Sequence, residues 1–146
     1  GHISRAFELK VNRLIILRAP KEYEAWAHRR CLLAGIAWTP QLRQSELELS
    51  TTAANFSRGN YYSWVHRLLV AETMGPRELE AQEVASREFI RRNIQDSSAW
   101  HFRRYVLHRL ARTGHDTFAG EIQARFGESQ CLRNHTKALE NMSTAE

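Results

Sequence analysis

A chain of 146 residues that is 42% hydrophobic and 25% charged has the size and make-up of one ordinary globular domain. Its net charge is +5 and 18 of its 21 basic residues are Arg, which suits an acidic partner or ligand as readily as a solvated basic surface. The basic residues are interleaved with Glu, which argues against nucleic acid as a partner, and the longest aliphatic run, Leu14-Ile15-Ile16-Leu17, is far short of the about 20 residues that span a bilayer.

The opening Gly1-His2-Ile3-Ser4 lacks an initiator Met and a secretory apolar stretch, and reads as an artificial start, so the natural protein is expected to be longer. Ser4–Arg18 carries Phe7, Val11, Leu14 and Ile15 at helical spacing. A second helix is expected over Tyr23–Leu33, and a third over Gln41–Phe56 with Leu42, Leu47, Leu49, Ala53 and Phe56. Tyr61–Ala71 follows, then Arg77–Asn93 with Leu79, Val84, Phe89 and Ile90, then Ser97–Leu107. Phe118, Ile122 and Phe126 predict one more helix from Asp116 to about Leu132, and after Arg133 the polar sequence is expected to fray. Pro20, Pro40 and Pro76 stand where a helix should begin, Asp96 and Asp116 suit N-caps, and Gly75 and Gly114 suit helix ends.

Three of these segments repeat without gaps. Their tryptophans, Trp26, Trp64 and Trp100, lie 38 and 36 residues apart. A small residue precedes each (Ala25, Ser63, Ala99), an Arg follows at the third position (Arg29, Arg67, Arg103), and an aliphatic residue at the sixth (Leu32, Val70, Val106). Those offsets share one helical face, so each Trp is expected in the core between successive helix pairs. Trp38 lies outside the register and should sit at a connection, more exposed than the other three. Nothing alternates with period two. The expected fold is therefore all-α, an α-α superhelix or solenoid of stacked helix pairs with about seven helices in one domain. Its repeats fall at about 4–36, 41–75 and 77–113, with an incomplete fourth at 116–132 and a polar tail at 133–146.

The segment Pro20-Lys21-Glu22-Tyr23-Glu24-Ala25-Trp26-Ala27-His28-Arg29-Arg30 resembles the repeat of protein prenyltransferase α subunits, as do Asn60-Tyr61-Tyr62-Ser63-Trp64-Val65-His66-Arg67 and Asp96-Ser97-Ser98-Ala99-Trp100 with Arg103. The likeness covers roughly Ser4 to Leu110. Glu46-Leu47-Glu48 through Asn60-Tyr61, with the Asp96-Ser97-Ser98 segment, resembles a divergent branch of that family. The resemblance implies a non-autonomous subunit that pairs with a prenyltransferase β subunit. That partner would hold the zinc, the isoprenoid diphosphate and most of the protein substrate, whose C-terminal cysteine receives a farnesyl or geranylgeranyl group. No cofactor is expected on this chain. By resemblance Lys21 reaches the departing diphosphate, and Tyr23, Asn60, Tyr61 and Tyr62 face the substrates, Tyr62 standing where farnesyltransferase-like members have a His. Lys21, Tyr23 and Tyr61 have plainer alternatives: an exposed turn lysine, or repeat packing with the hydroxyls at the rim.

The remaining chemistry is sparse. Arg29, Arg67 and Arg103 are expected to bond to neighbouring turns or to acidic partners. His28 and His66 share a repeat position, but two histidines without a thiolate or carboxylate make a poor zinc site, so no metal is expected. Cys31 and Cys131 are far apart and in no ligand spacing, which fits a reducing, cytoplasmic setting. Without a Gly-rich phosphate loop, nucleophile elbow or carboxylate pair, the chain has no candidates for catalysis alone. The competing function is a non-catalytic adaptor that binds another protein through the concave face of the repeats.

Overall fold

The computed structural model describes residues 4–145, so the start at Gly1-His2-Ile3 lies outside the described residues. Eight α-helices occur among them, and no strand. They are α1 (Arg5–Arg18), α2 (Tyr23–Leu33), α3 (Pro40–Phe56), α4 (Tyr61–Ala71), α5 (Pro76–Arg92), α6 (Ser97–Arg109), α7 (Thr117–Phe126) and α8 (Gln130–Thr144). The chain forms two compact units, Gly1–Thr73 and Met74–Glu146. Each holds two helix pairs, so the chain is an all-helical array of helix-pair repeats.

In the first unit α1 packs on α2 and α3, and α4 packs on α2 and α3. Its core joins Ile16, Ala25, Trp26, Leu49 and Ala53, with Leu17 and Tyr62 against them. In the second unit α5 packs on α6, and α8 on α6 and α7. There Trp100 and Phe118 meet with ring centroids 5.9 Å apart. Trp26, Trp64 and Trp100 are 0%, 4% and 1% exposed, as the repeat register requires. Trp38 is half-buried in the connection between α2 and α3. Trp26→Ala should therefore cost about 3–5 kcal/mol, read by thermal or chemical melts, because it leaves a cavity in a closely packed core.

Four details depart from the sequence reading. The helix count is eight, because the stretch expected as one helix followed by a fraying tail is two helices. Gly127, at φ 82, ends α7, and the Ser129 hydroxyl accepts from the Leu132 amide to start α8. α8 buries Leu132, His135 and Leu139, one face of a helix whose other positions are mostly polar. Pro40 and Pro76 do begin helices, but Pro20 sits in a turn three residues before α2. Gly75 caps the start of α5, and α6 ends at Leu110, with Ala111 at φ 56 and Gly114 further along the connection. Finally, the residues that signalled α1 are not what buries it: Phe7, Val11, Leu14 and Ile15 are exposed, while Asn12 and Ile16 are buried.

Candidate functional site

The residues singled out by resemblance come together at the N-terminal ends of α2 and α4. The Pro20 carbonyl is the hub. It accepts from Trp26 Nε1 at 2.8 Å and from Asn60 Nδ2 at 2.7 Å, fixing the turn that carries Lys21 to both helices. The Asn60 side-chain oxygen also caps α4, accepting from the Ser63 amide at 3.2 Å. Asn60 is 1% exposed and its amide group is committed on both sides, so it positions the site and does not present a surface to a ligand.

Lys21, Tyr23 and Tyr61 are exposed, and Tyr62 is half-buried between them. The Tyr62 ring lies 5.6 Å from Tyr23 and 5.7 Å from Tyr61, and the Arg30 guanidinium stands 6.0 Å from the Tyr23 ring. Tyr62 reaches back into the core beside Trp26, which holds the three rings as a row. The result is an aromatic edge beside one lysine, above the amide ends of two helices. A positive side chain gains nothing from a helix N-terminus, where the dipole is positive too. Together these groups suit an anion with an apolar tail.

Beneath that edge the repeat arginines hold buried charge. Arg29 donates from Nε to Glu46 Oε1 at 2.6 Å and from Nη2 to Oε2 at 2.7 Å, a bidentate pair from α2 to α3. Its Nη1 donates to the Leu9 carbonyl and the Asn12 side-chain oxygen, each at 3.1 Å. His66 of α4 lies 2.9 Å from the same Glu46 oxygen and stacks 5.2 Å from Trp26. Since Nε2 faces a carboxylate it carries the proton, and Nδ1 has no hydrogen-bond partner among the described residues.

The second unit repeats the arginine fork and its histidine, with one further bond from Arg103 Nη2 to Glu83 Oε1 at 3.1 Å. Arg103 donates from Nε to Asp116 Oδ2 at 2.7 Å and from Nη2 to Oδ1 at 2.8 Å. Its Nη1 donates to the Glu83 carbonyl at 3.3 Å and to Ser86 Oγ at 2.9 Å. His135 of α8 lies 2.9 Å from Asp116 Oδ2 and 4.7 Å from the Trp100 ring. Leu9, Asn12, Trp26 and Arg29 each have their counterpart 74 residues on, in Glu83, Ser86, Trp100 and Arg103. Even the indole bond recurs, from Trp100 to the Ile94 carbonyl at 2.8 Å. Arg67, the middle arginine, donates to Thr51 Oγ1 at 2.9 Å and lies over the Trp64 ring, and burial draws its guanidinium down to about 10.

Glu46, Asn12, Glu83 and His135 were not expected in these roles, and Asp116 was expected only as the cap that it also is. A signal does exist: a carboxylate 17 or 13 residues after a Trp-x-x-Arg arginine, then a His 20 or 19 residues later. His28 and His66 share a repeat position but not an environment, since His28 is exposed and His66 is completely buried. Among the described residues no three His, Cys, Asp or Glu side chains gather as metal ligands.

These networks make the fold sensitive to acid. Burial would raise the Glu46 carboxyl, but hydrogen bonds from Arg29 and His66 and the charge behind them hold it at about 2 against an ordinary 4.5. Asp116 is lowered in the same way against its burial by Arg103 and His135. Burial, helped by the charges of Arg104 and Arg103, pushes His135 below its usual 6.5 despite Asp116. A carboxylate with a depressed folded pKa stabilises fully above its unfolded value and loses that contribution as pH falls. A histidine kept neutral by the fold likewise favours unfolding once pH drops below 6.5, where the unfolded chain takes the proton first. The melting temperature should thus fall below about pH 6.5 and most steeply below about pH 4.5, with Glu46 contributing about 3 kcal/mol. Melts from pH 8 to pH 3 check this, and Glu46→Gln should flatten the acidic limb.

Fold and buried pairs together define a protein of stacked helix pairs joined by Trp-x-x-Arg helices. Residues 6–36 and 85–110 match the protein prenyltransferase alpha subunit repeat. It is 25% identical over 133 residues to protein prenyltransferase alpha subunit repeat-containing protein 1-B of Xenopus laevis, covering 75% of this chain and 31% of that protein. The human protein of the same series is 24% identical over 133 residues, covering 75% and 33%. The geranylgeranyl transferase type-2 subunit alpha of Sus scrofa is 34% identical over 92 residues, covering 62% of this chain and 16% of that subunit. The chain thus spans about a third of the length of the repeat-containing relatives. Among the described residues no helix is long and apolar enough to cross a membrane.

Proposed function

We propose that this chain is part of an α-subunit-like component of a heterodimeric protein prenyltransferase, acting in the cytoplasm beside a β subunit. The observation that carries this reading is the shared Pro20 carbonyl. Through it Trp26 and Asn60 hold the Lys21 turn beside Tyr61 and Tyr62, so residues 40 positions apart form one edge. In the complex Lys21 meets the diphosphate of a farnesyl or geranylgeranyl donor, and its compact cation offsets the charge that grows as diphosphate leaves. Tyr23, Tyr61 and Tyr62 line the approach, where rings with a polar tip suit a boundary between lipid and water. The zinc that activates the acceptor thiol belongs to the partner, because this edge offers a lysine and phenols and no thiolate or imidazole.

A prenyltransferase β subunit should co-purify with the chain in near-equal amounts, while the chain alone transfers no prenyl group. Failure to pair with any such subunit would favour the adaptor. One observation speaks for that second reading: Tyr62, half-buried against Trp26, replaces a histidine with a ring that cannot donate a proton from a cationic form.

A further inference from the structure

The outer face of α1 is apolar and uncovered, and the chain itself supplies the pattern for what covers it. Each position of α1 has its counterpart in α3, 38 residues on. Asn12 and Ile16 correspond to Ser50 and Ala54, and all four are buried. Glu8, Val11 and Ile15 correspond to Glu46, Leu49 and Ala53. In α3 these three are 1%, 0% and 0% exposed, because they receive the preceding Trp helix: Leu49 and Ala53 join Trp26, and Glu46 takes the Arg29 fork. In α1, Glu8 is only part-covered, Val11 is 40% and Ile15 47% exposed, and Leu14 and Phe7 beside them are 64% and 56% exposed. His28 stands 38 residues before His66, the ring that completes the Glu46 network, and it too is exposed.

We propose that this face is a stacking surface for a further helix pair of the same repeat type. The tryptophan of the incoming Trp-x-x-Arg helix seats on Val11 and Ile15, and its arginine forks onto Glu8 with His28 behind, building a third buried network. A second copy of α1 is a poor occupant, since Arg5, Lys10 and Arg18 lie exposed on the same helix and would meet their own kind. A Trp helix like α2 brings Glu22 at its N-cap and Glu24 in its first turn instead.

The test duplicates residues 4–39 ahead of residues 2–146, which sets the added arginine 17 residues before Glu8, the Arg29–Glu46 spacing. Amide exchange along α1 should slow by about tenfold or more in the tandem. Glu8→Gln should lower the melting temperature of the tandem by about 5 °C and leave that of the original chain within about 1 °C. Unchanged exchange in α1, equal effects of Glu8→Gln on both proteins, or an added pair that contributes no helical signal would each overturn the proposal. So would a dimer of the original chain that Leu14→Glu dissociates, which would give the face to a second copy.

Discussion

Arg29→Ala is expected to cost about 3–5 kcal/mol, as much as truncating the core tryptophan, since it strands a buried carboxylate. Glu46 is 1% exposed, and without the fork its charge would face only His66 and the Leu49–Trp26 core. Either the carboxylate takes up a proton or the helices part, and both lose the link between the two helix pairs of the first unit. A loss of this size lowers the melting temperature by roughly 10 °C or more in a unit this short. The double change Arg29→Met with Glu46→Leu should recover much of it, because a packed apolar pair has no charge to desolvate. Thermal melts of the single and double variants separate a pair that confers net stability from one that mainly fixes which helices meet. A change below about 1 kcal/mol for Arg29→Ala would mean that Glu46 is hydrated in solution.

How legible this was depends on what each residue does. The Trp positions were plain because three copies align without gaps and a buried indole tolerates few substitutes. The ion networks were not, although their arginines were marked. The partner carboxylate sits on a different helix, at 17 residues from Arg29 but 13 from Arg103, and changes from Glu to Asp as the connections shorten. Asp116 hid behind its role as an N-cap. Helix α8 was missed because it has no Trp and its inward face includes a histidine, His135, which reads as polar until Asp116 is placed against it. The edge at Lys21 was readable only through resemblance. Nothing in the spacing of Pro20 and Asn60 announces that a backbone carbonyl joins them.

Lys21→Ala carries the functional reading. Lys21 is exposed in the turn before α2, where the helix dipole opposes its charge, so the chain should fold and assemble with its β subunit unchanged, within about 0.5 kcal/mol. If the ammonium meets the diphosphate chiefly as charge develops on it, its loss slows the chemical step and leaves isoprenoid affinity nearly intact. The decisive measurement is the single-turnover rate of prenyl transfer by the heterodimer reconstituted with Lys21→Ala, alongside donor affinity. The expected result is a rate lower by about 10–100-fold, with affinity changed by less than about threefold. Transfer at the wild-type rate in an intact heterodimer would contradict it and leave the lysine a bystander on a helical scaffold.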